Sequence, residues 1–184
     1  MNPFRVAVAV LGAMFAAGSS IGAQRGDELV ARHRAVYSSV EQSLRSYQHA
    51  AASMDTLGLD RQSTDGGQIE AYCERGTIRL LVADYYGETG DATDRFYFDH
   101  DSLIFVLGES RRGRPNGRDP YPKRTIIEHE RLYFSSDRLV RWLSNKSVAV
   151  AVTSPEARER ADALLNDARR FKAVMPMCHP KFAP

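Results

Sequence analysis

The chain is short of most features that would announce an activity. Beyond its amino-terminal stretch it has no apolar run long enough to cross a bilayer, which excludes a membrane-spanning helix in the body of the protein. It has no dominant charge: 25 basic residues stand against 23 acidic ones, and this balance gives no reason to expect a nucleic-acid partner. Glycine-rich phosphate loops are missing, and no serine sits in a nucleophile-elbow pattern. His33, His49, His100, His129 and His179 are scattered without metal-ligand spacing. Glu128-His129-Glu130 falls on a predicted strand, where the two glutamates face one way and His129 the other, so it is not the helical zinc motif. Asp91, Asp94, Asp99 and Asp101 lack the residue order of a calcium loop and read as turn chemistry. No catalytic residue, metal or cofactor is assigned on this basis.

Cysteine is scarce too, with only Cys73 and Cys178. Their meaning depends on compartment. Residues 1–23 have the form of a secretory signal: Arg5 near the start, an apolar run from Val6 to about Ala17, then small residues and a cleavage site at Ile21-Gly22-Ala23 before Gln24. The run is too short for a membrane span, and no cysteine follows to accept a lipid. The chain is therefore expected to be exported, periplasmic or secreted, with no transmembrane segment after signal removal. In that setting a Cys73–Cys178 disulfide is expected, the rival being two free thiols. Residues 24–184 are of the size of one domain.

What is present is repetition. Phe96-Tyr97-Phe98-Asp99-His100-Asp101-Ser102-Leu103 returns as Leu132-Tyr133-Phe134-Ser135-Ser136-Asp137-Arg138-Leu139, and Arg95 matches Arg131. Aromatic and β-branched runs around a four-residue polar turn read as hairpins. Tyr72-Cys73-Glu74-Arg75-Gly76-Thr77-Ile78 has the same spacing, with Cys73 at the place of Phe98. The fold class is thus α+β: an antiparallel meander of about six strands from three hairpins over residues 69–145. A long loop from Gly108 to Lys123 interrupts it, and Val148–Val152 is a candidate extra strand. Before the sheet, Val30, His33, Tyr37, Val40, Leu44, Tyr47, Ala51 and Met54 recur at steps of three and four, which predicts a helix over 27–54. That stripe fits a helix lying on the sheet or a coiled-coil seam, and the oligomeric state stays open. After the sheet, Ser154-Pro155-Glu156 starts a helix over 155–173, with a tail over 175–184.

Strand alternation sorts the hairpins into two faces. With Phe98 opposite Leu103, one face carries Phe96, Phe98, Leu103, Phe105 and Leu107, then Leu132, Phe134, Leu139 and Leu143, and Ala71, Cys73, Ile78, Leu80 and Val82. This face is expected to bury under the N-terminal helix. The other carries Tyr72, Tyr97, Tyr133, Arg79, Arg95, Arg131, His129 and Trp142. Tyr, Trp and Arg are enriched at binding hot spots, so this is the candidate partner or ligand face, the alternative being a cover by the C-terminal helix. Arg111, Arg112, Arg114 and Arg118 in the long loop form a candidate anion-binding segment, or a solvated loop.

Tyr85-Tyr86-Gly87-Glu88-Thr89-Gly90, Phe96-Tyr97-Phe98 with Leu103-Ile104-Phe105-Val106, and Arg131-Leu132-Tyr133-Phe134 with Leu139-Val140-Arg141-Trp142-Leu143 resemble a group of exported bacterial proteins sharing this hairpin grammar. The resemblance covers residues 69–145 and implies no activity. Tyr72 and Cys73 with their hairpin also resemble small periplasmic lysozyme inhibitors. The expected function is a non-catalytic binding module of the cell envelope, for a protein or envelope component. The alternative is an envelope-acting hydrolase, or an inhibitor of one.

Overall fold

The hairpins are set by three turns of one kind. The structure, a computed structural model, describes residues 18–59, 65–88, 90–113 and 124–175. At Arg75-Gly76, His100-Asp101 and Ser136-Asp137 both central residues have positive φ, between 46° and 80°. That is the two-residue turn whose twist matches paired strands. In each hairpin the register then slips by one residue, at Tyr72/Cys73, Tyr97/Phe98 and Tyr133/Phe134. Arg79, Ile104 and Val140 are the extra residues, so the repeat read from the sequence is also a repeat of turn and bulge.

Eight strands follow one another in chain order in a single antiparallel sheet: β1 Gln48–Ser53, β2 Gly67–Glu74, β3 Thr77–Gly87, β4 Gly90–Asp99, β5 Ser102–Gly113, β6 Arg124–Ser135, β7 Arg138–Leu143 and β8 Ala149–Val150. Helix α1 spans Gly18–Ser43 and helix α2 spans Pro155–Val174. The α+β meander with a helix at each end is as expected, but the sheet has eight strands instead of about six. β8 answers to the candidate strand near Val148. β1 replaces the second half of the expected helix over 27–54. The helical stripe holds through Val40, and α1 ends at Ser43, where Ser46 Oγ donates to the Ser43 carbonyl at 2.7 Å. The alanines Ala50, Ala51 and Ala52, good helix formers, are then drawn into a strand by pairing with β2, from Gln48 opposite Cys73 to Ser53 opposite Gln68. The expected cleavage point after Ala23 lies within α1; residues 1–17 lie outside the described residues.

The bulges decide the faces. Phe98 does lie opposite Leu103, but past the slip Phe105 lies opposite Tyr97 and Val106 opposite Phe96. Phe105 and Leu107 therefore belong to the Tyr97 face, and so do Leu80, Val82 and Leu143; Trp142 moves the other way, to the Phe98 face. A single unpaired residue per hairpin reverses the alternation beyond it.

Both faces are covered. The Phe98 face packs under α2, not under α1 as expected, through Ala157, Ala161, Leu164, Leu165, Ala168 and Phe171, all buried. This is the apolar stripe read from the sequence. Ser154 caps α2, its Oγ accepting from the Ala157 N–H at 3.1 Å, and Pro155 begins the helix. Each large side chain in this layer contributes about 1.5–3 kcal/mol by leaving water. The Tyr97 face packs under α1, through Val30, Val40, Val36 and Tyr37.

Candidate functional site

The tyrosine face is where a partner was expected, and the chain fills it with its own helix. Tyr97 is 0 % and Tyr133 2 % exposed. Tyr37 of α1 meets Tyr97 edge-on at 5.0 Å between ring centroids, and Phe105 links Tyr97 to Tyr133 at 5.5 and 4.9 Å. The Tyr97 hydroxyl donates to Glu41 of α1 at 2.7 Å, and burial followed by this bond raises its pKa far above the ordinary phenol value. His33 of α1 is buried alongside, and burial, then Arg32, lowers its pKa. The remaining members are dispersed. Tyr72 donates to Glu70 at 2.8 Å, Arg95 pairs with Glu109 at 3.0 Å, and Arg131 donates to Ser147 at 2.6 Å. His129 Nδ1 lies 3.5 Å from Glu109. Most of this set docks α1 or pairs at its rim, and two smaller concavities of about 300 Å³ lie beside the helix, one against Arg131 and Tyr133 and one against Tyr72, Arg95 and Tyr97. Arg111 and Arg112 belong to β5, Arg111 lying 3.8 Å from Glu109; Arg114 and Arg118 lie outside the described residues. Cys73 is buried on the Phe98 face and no free cysteine occurs among the described residues, while Cys178 lies outside them.

The concavity worth attention is on the other side, between α2 and one end of the sheet. It measures about 690 Å³, within the range of small-ligand sites. Its floor is a row of cross-strand neighbours: Asp94 on β4 faces Gly108 on β5, which faces Glu130 on β6. Above them sits Arg160 of α2. Its Nε donates to Glu130 Oε1 at 2.9 Å, Nη2 bonds the same oxygen, and Nη2 lies 3.4 Å from both Asp94 oxygens. One guanidinium thus clamps two carboxylates from different hairpins. Burial, the largest influence, raises the Asp94 pKa to about 6, with Arg160 opposing and Glu130 reinforcing the shift. Gly108 makes the arrangement possible. A Cβ there would lie 2.7 Å from Glu130 Cγ and 3.0 Å from Asp94 Oδ1.

The next row brings Tyr85, Ala92, Ser110 and Glu128 together across β3 to β6. Trp142 completes that wall, and Glu156, Arg160 and Asp167, at helical steps of four and seven, line it from α2. Burial raises the Tyr85 pKa well above the phenol range. Two polar atoms in this lining, Ser110 Oγ and Trp142 Nε1, are buried without a hydrogen-bond partner among the described residues. Buried polar groups are satisfied as a rule, so these are exceptions with a cost.

Of the residues expected at a partner face, only Trp142 and His129 line this cleft, together with Arg112 from the basic segment. Asp94, Glu130 and Arg160 were not anticipated. A signal for two of them was in the repeat: Asp94 and Glu130 hold equivalent places, each directly before Arg95 or Arg131 in the recurring phrase. Nothing local marks Arg160. No group of three or more metal-ligating side chains occurs among the described residues.

No family model matches the chain, and no curated protein and no solved structure matches it either.

Proposed function

We propose that the protein is a non-catalytic binding module, exported to the cell envelope, that takes a small polar ligand or peptide segment in the cleft between α2 and strands β3–β7. The observation carrying this reading is a concavity of ligand size, about 690 Å³, walled by charged and polar side chains of both the sheet and α2. The apolar start of the chain and its hairpin grammar support export. Binding is favoured over hydrolysis because Arg160 engages both carboxylates of the cleft floor, buried Asp94 and half-buried Glu130. An acid and a base held by one guanidinium are not presented to a substrate.

Trp142 is the only tryptophan, so its emission reports the cleft without labelling. Titration with a panel of peptides, amino sugars and neutral sugars should give a saturable change with one of them. Chromatography of the same mixture should return the ligand intact. Emission that ignores every member, or a ligand converted to product, would end this reading.

A further inference from the structure

We propose a second binding site, on the face of the sheet opposite the cleft: the pocket between α1 and strands β5 and β6 takes a small apolar monocarboxylate, its body against an aromatic wall and its carboxylate at Arg34 and Arg131. The pocket measures about 300 Å³, at the lower end of the range for small-ligand sites. The docking of α1 builds it. On the Tyr97 face, Phe105 of β5 lies opposite Tyr133 of β6, and Leu107 lies opposite Arg131. From the helix, Tyr37 meets Phe105 edge-on at 5.6 Å between ring centroids, and Phe105 meets Tyr133 at 4.9 Å. Three rings and Leu107 thus give the pocket an apolar wall.

The second observation is charge. Arg34 reaches the pocket from α1 and Arg131 from β6, and among the described residues no carboxylate lines it. Arg131 donates to the neutral Ser147 hydroxyl, and Arg34 has no hydrogen-bond or ion-pair partner among the described residues. Other arginines around α1 are neutralised: Arg32 and Arg79 by Asp99, Arg95 by Glu109, and Arg141 by Asp27. Two guanidinium groups without a counter-charge, beside an apolar wall, are completed by one molecule with an anionic head and an apolar body. An inorganic anion would leave the rings facing water, and a neutral ligand would leave the arginines uncompensated.

The test is calorimetric titration of the full chain with 3-phenylpropionate, octanoate, 3-phenylpropanamide and inorganic phosphate. A carboxylate should bind saturably, with an affinity that falls as salt rises, and the tighter of the two tells an aromatic body from an aliphatic one. The amide should bind roughly tenfold more weakly than its acid. Arg34→Gln with Arg131→Gln should weaken the acid roughly tenfold, the scale of two partly exposed charge contacts, and leave the amide unchanged. Arg34→Gln alone, at an exposed position of α1 that leaves the fold intact, should cost about threefold. Arg138→Gln, exposed and outside the pocket, should change nothing. Trp142 packs on the Phe98 face, so its emission should stay constant throughout. No saturable heat with either carboxylate, equal affinity for acid and amide, phosphate binding as tight as the acid, or a change in Trp142 emission that follows the heats would each overturn the proposal.

Discussion

The clamp in the cleft floor can be tested by removing its one cation. Arg160→Met keeps much of the side-chain stem and deletes the charge between Asp94 and Glu130. Breaking a fully buried pair costs about 3–5 kcal/mol. Here the Arg160 and Glu130 side chains are 32 % and 22 % exposed, so water takes back part of that loss. We expect a destabilisation of about 2–3 kcal/mol at pH 8, mostly from Asp94, whose side chain is only 10 % exposed. The effect must depend on pH, with a definite sign. The Asp94 pKa is raised from 3.8 to about 6, so between those values the folded state holds the proton more tightly than the unfolded chain. Its contribution to stability is fully present below the unfolded value and is lost as pH rises through about 6, by about 3 kcal/mol in all. Removing Arg160 takes away the group that favours the ionised form, so the variant should be worst at high pH. At pH 5 Asp94 is largely protonated in both proteins, and the difference should shrink to about 1 kcal/mol or less. Urea unfolding at pH 5 and pH 8 reads both values. Adding Asp94→Asn to Arg160→Met should recover about half of the loss at pH 8. An equal loss at both pH values, or no recovery in the double variant, would show that Arg160 acts by packing and that the electrostatic account is wrong.

Two further outcomes follow from the same geometry. Gly108→Ala should lower stability by about 1–3 kcal/mol, since its Cβ would meet Glu130 and Asp94 and force the clamp apart; an unshifted urea midpoint would mean that Glu130 swings clear at no cost. Thiol titration of the oxidised, denatured protein should find no reactive cysteine, and Cys73→Ser should cost about 2–5 kcal/mol if Cys178 is its partner; one or two free thiols would remove that bond.

The residues themselves were sufficient for whatever depends on neighbours in the chain. Each hairpin was legible because a short polar stretch sits between aromatic and β-branched runs; pairing of its outer residues, as in Asp99 with Ser102, narrows the turn from four residues to two. The start of α2 was legible because Ser154 and Pro155 carry cap chemistry, and its buried stripe because the period of 3.6 is unbroken. Other features needed distant contacts. Ile104 lies inside a continuous apolar run, so no change of pattern marks it as the residue that slips the register, yet that slip sends Phe105, and the matching slip at Val140 sends Trp142, to the face opposite to the one expected. Ala50 to Ala52 favour a helix in isolation, and only the edge of β2 makes them a strand. Which helix covers which face was not written in either helix, because two apolar stripes compete for two apolar faces. The clamp and the cleft around it belong to the tertiary structure in the same way. Asp94, Glu130 and Arg160 are 30 to 66 residues apart, and a charge read alone in a strand or helix is a surface residue until folding brings its partners over it.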